Sequence, residues 1–273
     1  ADGANPARCV RSLGTMVVNQ MSSLDKSVIQ QRFAKARETY TLQAVAQQQI
    51  CEHLAQLMQQ FCPEQLPRIF EIGCGSGTLT RLLQQQFAVQ HYVVNDLYAE
   101  VMEFFPEQQV EFCIGDAEKL AFPNALAAVV SSSALQWMQD LSAVFAKIHA
   151  ALNAHGWLCF STFGSQNLCQ IKELIGQGLD YLPLEQLQSL LEQQGFEVVH
   201  AEQELIELEF AQPRDVLKHL KATGVTATNR DFLWTKQRLQ QFYADYAALK
   251  AVQSKQQYPL TYHPIYIIAR RLT

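Results

Sequence analysis

Apolar residues recur at intervals of three and four along the first part of the chain: Val28, Ile29, Phe33, Ala36 and Tyr40, then Leu42, Val45, Ala46, Ile50, Leu54, Leu57 and Met58. That spacing keeps them on one helical face and predicts two helices or one bent helix, stopped by Pro63 and Pro67. Beyond Pro67 the pattern changes to short β-rich runs alternating with amphipathic stretches. Strands are predicted at 68–72, 91–95, 110–114, 126–131 and 156–163, with helices between them at about 77–87, 98–105 and 139–152. Such alternation builds crossover units on a parallel sheet. After Pro183, LEQLQSLLEQQ predicts a helix closed by Gly195, and FEVVHAEQELIELEF a long strand or a bent pair. Two more helical patterns start at Asp215 and Thr235. The closing YPLTYHPIYIIARR alternates as a strand in which Pro264 predicts an edge position or a bulge.

The expected fold class is therefore α/β, doubly wound about a mostly parallel sheet. Residues 1–22 lack any period and are set apart as an added leader or a disordered arm. The expected units are a helical cap at 23–62, a core at 67–212, a helical insertion at 213–255 and a terminal core strand at 256–273.

Composition narrows the function classes. Of 273 residues, 48% are hydrophobic, enough for a sizeable core. No window approaches the ~18 uninterrupted apolar residues of a membrane-spanning helix, so no membrane role is expected. A net charge of -5 gives no whole-surface basic field for gripping nucleic acid. The seven cysteines are scattered without a C-x-x-C pair, which suits buried thiols in a reducing cytoplasm and gives no metal-site pattern.

The chemistry-bearing segment is Ile69 to Thr78, an apolar strand running through Glu71 into Gly73-Cys74-Gly75-Ser76-Gly77 and then a helix. Glycines there let a ligand lie against backbone. A carboxylate at Glu71 would repel pyrophosphate but suit a cationic amino-acid ligand. Asp96 ends the next strand, 19 positions beyond Gly77, the offset at which a carboxylate accepts from ribose hydroxyls; an acidic helix cap is the structural alternative. Asp116, in Gly115-Asp116-Ala117-Glu118, closes the third strand and suits an adenine amino group or, alternatively, a cap, with Leu97 or Phe112 as apolar ring contacts. The fourth strand ends at Ser131 in a polar loop leading to Trp137.

Together these strand ends resemble the cofactor site of class I S-adenosylmethionine-dependent methyltransferases over residues 68–163. The resemblance implies a Rossmann-like sheet of seven strands and S-adenosylmethionine as cofactor, with S-adenosylhomocysteine as product. It implies cofactor contacts from Glu71, Gly73, Cys74, Gly75, Gly77, Asp96, Leu97, Asp116, Ala117 and Ser131. Four shorter motifs narrow it further: S-x-x-A-L-Q-W from Ser131, F-x-x-A-x-x-x-Y from Phe33 to Tyr40, Leu220 to Gly224, and Tyr258 to His263. In joint order they resemble the malonyl-[acyl-carrier protein] O-methyltransferases, which open the pimeloyl branch of biotin synthesis; Ser132 departs from the Asn common there.

That family implies methylation of the free carboxyl of a malonyl group carried on acyl carrier protein, or on coenzyme A. A carboxylate is ionised at neutral pH, so no general base is required; it needs a donor or cation to orient it. The family motifs offer Tyr40, Lys221, Tyr262 and His263 for that task, each with an ordinary structural alternative. An acidic carrier would suit the cluster Arg214, Lys218, Lys221, Arg230, Lys236 and Arg238 in the insertion. A small-molecule methyltransferase acting on a hydroxyl, amine or carbon, and a non-catalytic cofactor-binding regulator, remain the alternatives.

Overall fold

The computed structural model describes residues 45–106, 109–176, 178–222, 234–253 and 255–273. Phe33, Tyr40 and the first expected cap helix lie outside the described residues, as do Thr223, Gly224 and Arg230.

Strand alternation sets the layers. Ile69, Val94, Val130, Cys159 and Ile268 are buried on one side of a large sheet, and Phe70, Val93, Val129, Phe160 and Ile267 on the other. A sheet apolar on both faces needs cover on both. The described strands are β1 (Arg68–Ile72), β2 (His91–Asp96), β3 (Glu111–Ile114), β4 (Leu126–Ser132), β5 (Leu152–Phe163), β6 (Phe196–Gln203), β7 (Ile206–Phe210), β8 (Tyr258–Tyr262) and β9 (Pro264–Arg271). Seven of them form one sheet in the order β3-β2-β1-β4-β5-β9-β6, and β7 pairs with β8 in a second. Pairing is parallel from β3 through β5, whereas β9 runs antiparallel to both β5 and β6.

The helices are α1 (Val45–Phe61), α2 (Thr78–Gln86), α3 (Leu141–Ala151), α4 (Cys169–Ile175), α5 (Leu184–Gln193), α6 (Pro213–Ala222) and α7 (Lys236–Val252). Ile50, Leu54 and Met58 of α1 and Leu79 and Leu83 of α2 cover the first face; Val144, Phe145 and Ile148 of α3 and Leu187 and Leu191 of α5 cover the second. The doubly wound class is thus realised. None of the helices among the described residues is long and apolar enough to cross a membrane.

Several local expectations change. The helix expected at 98–105 is a 3₁₀ helix, Ala99–Phe104, and β5 starts at Leu152 rather than 156, directly after α3. The long strand after Gly195 is a bent pair, β6 and β7. The segment expected as one terminal strand supplies two, because β8 turns away to pair with β7 beside the inserted helices. Pro264 is on neither an edge nor a bulge: it opens β9, an interior strand, opposite Phe163. As the first residue its missing N–H breaks no ladder bond, and its carbonyl still accepts from the Glu204 amide at 3.1 Å. The short helix α4 has no counterpart in the sequence pattern.

Strand order reverses between β1 and β4, which leaves a crevice beyond their carboxyl ends. One buried residue ties three strand ends around it. The Asn95 carbonyl accepts from the amides of Gly73 and Cys74, both at 2.9 Å. Its side-chain Nδ2 donates to the carbonyls of Cys113 at 2.7 Å and Gly115 at 3.0 Å. Asn95→Ala would leave both carbonyls without that donor, and we expect a loss of about 1–3 kcal/mol in urea unfolding. Unchanged stability would show that solvent replaces the amide there.

Candidate functional site

The glycine segment following β1 is shaped by what each position faces. A Cβ on Gly73 would lie 2.4 Å from the Cβ of Ala134, so this residue lets the β1 and β4 loops approach. Gly75 differs: at φ +51 an added Cβ would meet no protein atom within 4 Å. It faces open space, where backbone can be approached from outside. Gly77 precedes α2 and packs against the Phe105 ring.

Asp96 holds this loop. Its Oδ2 accepts from the Gly75 amide at 2.9 Å and its Oδ1 from the Leu97 amide at 2.7 Å. It is not the N-cap of the 3₁₀ helix, which is Tyr98. Burial pushes the Asp96 carboxyl up to about 6, against the lowering effect of the Gly75, Leu97 and Tyr98 amides. Glu71 is more deeply enclosed. Its Oε2 accepts from the Thr80 hydroxyl at 2.6 Å and the Tyr92 hydroxyl at 2.7 Å. Burial pushes the Glu71 carboxyl up to about 7, and the nearby Asp96 charge adds to the rise.

Asp116 lies beyond β3, with its Oδ1 accepting from the Glu118 amide at 3.0 Å and Lys119 at 3.7 Å from its other oxygen. Its side chain therefore closes its own turn, as the cap alternative anticipates. Ala117 is buried, and its carbonyl accepts from Lys147 at 2.7 Å. Ser131 is fully buried with its hydroxyl donated to the Ile72 carbonyl at 2.8 Å, so it supports the glycine loop from below.

A cleft of about 570 Å³, open solvent at its mouth included, lies beside the glycine turn; Gly77, Asp96, Leu97, Asp116, Ala117 and Ser131 are not among its lining residues. It is lined by Glu71, Gly73, Cys74 and Gly75 as expected, by Ser76, Thr78 and Leu79 at the start of α2, and by Ser132 and Ser133 at the end of β4. Gln47, Gln48 and Cys51 of α1 complete the wall. The cleft was not foreseen to include α1, and neither were the roles of Thr80, Tyr92 and Asn95. A polar residue at a strand end, as in Asn95-Asp96, was the available signal for the last of these.

Of the residues expected to orient a substrate carboxylate, the three described ones do not line this cleft. Tyr40 lies outside the described residues, and Lys221 is exposed on α6. Tyr262 is fully buried, its hydroxyl 2.9 Å from His219 Nε2. His263 is buried at the β8–β9 corner, where Nδ1 accepts from the Gln166 amide at 3.1 Å and Nε2 faces Gln203 Oε1 at 3.2 Å. An amide donor on Nδ1 requires that nitrogen to be unprotonated, and burial lowers the pKa further. In this placement the His263 ring bridges Gln166 and Gln203 as a neutral staple.

A parallel sheet whose order reverses between β1 and β4, with a backbone-lined turn after β1 and acidic residues near the carboxyl ends of β1, β2 and β3, defines a nucleoside-cofactor-binding protein of the methyltransferase class. A family model described as a methyltransferase domain matches residues 42–201. A putative methyltransferase from Bacillus halodurans superposes with a TM-score of 0.61 at 18% identity, covering 81% of this chain and 99% of that one. The malonyl-[acyl-carrier protein] O-methyltransferase of Acinetobacter baylyi is 52% identical over 252 residues, 91% of this chain and 98% of that protein. The protein of the same name from Haemophilus influenzae is 38% identical over 257 residues, 93% and 97% of the two. The chain belongs to the malonyl-[acyl-carrier protein] O-methyltransferase family.

The Glu71 environment fixes a pH dependence. Its carboxyl rises from 4.5 to about 7 on folding, so the stability tied to its proton is complete below about 4.5 and is lost as pH climbs through 7. Glu71→Gln removes that dependence. In the ligand-free protein the variant should gain stability relative to the parent, on the order of 2–3 kcal/mol, between pH values of about 5 and 8. Asp96 remains in both proteins, so its own slope cancels. Urea midpoints that shift in parallel with pH in the two proteins would show Glu71 to be ordinarily ionised.

Proposed function

We propose that this chain transfers the methyl group of S-adenosylmethionine to the free carboxyl of a malonyl group on acyl carrier protein, giving the methyl ester that biotin synthesis elongates. The observation that carries the reading is the 52% identity, running through 98% of the length of a relative that bears this name. The six described cysteines are all free thiols, which suits a cytoplasmic enzyme.

The residues present suit the cofactor. Gly75 offers backbone to open space, so the amino-acid end and ribose can pass close to the chain. Asp96 accepts from the amides of Gly75, Leu97 and Tyr98, and its remaining lone pair is left for a ribose hydroxyl. Asp116 and the half-buried Leu97 flank the direction the adenine would take along the strand ends. S-adenosylmethionine supplies a methyl already activated on a sulfonium. The protein's task is then to exclude water and to hold the acceptor in line. None of the cleft-lining residues among those described is His, Lys or Arg. An ionised carboxyl acceptor needs no proton removed, and Glu71, the carboxyl among the described lining residues, is already engaged by the Thr80 and Tyr92 hydroxyls. A hydroxyl or ammonium acceptor would call for a positioned base.

The carrier is preferred over coenzyme A as the bearer of the malonyl group because the inserted unit presents exposed bases. Arg214, Lys218 and Lys221 stand on α6 and Lys236 and Arg238 on α7. Arg214 and Lys218 share one acid, Asp215, at 3.9 and 3.1 Å, which leaves that turn net positive. Lys221 on α6 and Tyr40 on the cap remain the candidates for orienting the acceptor carboxylate.

Incubation with methyl-labelled cofactor and malonyl carrier protein, followed by mass measurement of the carrier, should show a single added methyl. An unmodified carrier together with methylation of a small hydroxyl or amine compound would replace this reading by the general small-molecule one. For the docking face, reversing Lys218, Lys236 and Arg238 to Glu is expected to raise KM for the carrier substrate roughly tenfold at low salt and far less at high salt, with cofactor affinity unaltered. Wild-type kinetics at every salt concentration would remove this face from the interface.

A further inference from the structure

The wall that α1 contributes to the cleft contains a buried polar atom with no partner. Gln47 is only 8% exposed, yet its side-chain Oε1 has no hydrogen bond. Leaving a buried acceptor unmatched is unfavourable, so such an atom in a cleft wall is suited to a ligand that brings the donor. Two further acceptors line the same cleft. Ser133 Oγ is likewise buried without a partner, on a residue held at φ +54. The Glu71 carboxyl stands between two hydroxyl donors, Thr80 and Tyr92, both on Oε2. No described lining residue opposes these acceptors with a positive charge.

Sheet order fixes which end of a ligand meets them. Asp116 and Asp96 follow β3 and β2, toward the sheet edge, whereas Glu71, Ser133 and Gln47 surround the gap between β1 and β4. A nucleoside on the two aspartates therefore leaves its other end beside Gln47. Three acceptors with no cation among the described lining residues, Arg81 acting on Glu71 from outside the cleft, select a group with several N–H donors and a positive charge.

We infer that Gln47 is a binding residue for the α-ammonium of the cofactor's amino-acid end, with Ser133 and Glu71 as the other acceptors. The cap helix α1 thereby reads the cofactor directly. The inference rests on the cofactor reading above.

Calorimetric titration with three ligands tests it: S-adenosylhomocysteine, its analogue lacking the α-amino group, and methylthioadenosine, which lacks the amino-acid end. Gln47→Leu should weaken S-adenosylhomocysteine about tenfold and leave the other two within twofold of the parent protein. Gln47→Glu keeps an acceptor at that point and should retain or improve binding of the ammonium ligand, with no effect on methylthioadenosine. Equal weakening of all three ligands would assign Gln47 to helix docking alone and overturn the inference. So would unchanged binding of S-adenosylhomocysteine in both variants. Should Gln47→Leu fail to fold, the Glu variant carries the same comparison, because a loss shared with methylthioadenosine would again overturn the inference. Failure of the parent protein to bind S-adenosylhomocysteine at all is the separate result that would overturn the cofactor reading.

Discussion

The amide of Gly75 donated to the Asp96 carboxylate is the contact on which the site depends. A glycine-rich turn has little reason of its own to hold one shape, because each glycine has a large conformational entropy to lose. Here the turn is fixed from the neighbouring strand: Asn95 takes the amides of Gly73 and Cys74 on its carbonyl, and Asp96 takes that of Gly75 on its carboxylate. Two consecutive residues at the end of β2 thus hold three amides of the turn after β1. The Asn95 side chain extends the same lock to the carbonyls of Cys113 and Gly115 beyond β3. Geometry for a ligand spanning three strand ends exists before any ligand arrives.

That rigidity has an electrostatic cost. Glu71 and Asp96 are both buried, both pushed toward neutrality, and each charge raises the other's free energy. Amides and hydroxyls offset part of the penalty without removing it, which is why the two carboxyls settle near 7 and 6. A cationic ligand relieves the same penalty. The sulfonium and ammonium of S-adenosylmethionine would add to the positive charge that Arg81 already sets against Glu71, so the site suits the cofactor by charge.

Much of this was legible in the sequence, and the limits have physical causes. Strands β1, β2 and β4 are short, nearly continuous apolar runs, as burial on both faces requires, and their positions come within a residue of the expected ones. The glycine segment and its three acids are local motifs and sit at adjacent strand ends as expected. What each glycine does was not legible, because Gly73 faces Ala134 and Gly75 faces open space only once β4 is placed. Tyr92 as partner of Glu71 joins β2 to β1, a pairing set by register rather than by sequence distance. Pro264 misled because a proline signals an edge unless it is known to be first in its strand. The setting of His263 was not legible either, because its amide donor, Gln166, is 97 positions away in the chain.

The inserted unit is joined to the core more firmly than the word lid suggests. Phe242 and Tyr246 of α7, Val216 and Leu220 of α6, and Leu260 and Tyr262 of β8 are buried in the same cluster as Ile50 and Leu54 of α1 and Tyr266 of β9. The buried Tyr262 hydroxyl meets His219 of α6, so β8 and α6 are bonded as well as packed. Motion of a cover over the acceptor side would have to disturb apolar surface shared with α1, and interiors packed to that density resist continuous deformation. The same helix carries Gln47, Gln48 and Cys51 into the cleft wall. The inserted helices and the cleft wall thus meet in one apolar cluster, so a displacement of either reaches the other through packed side chains.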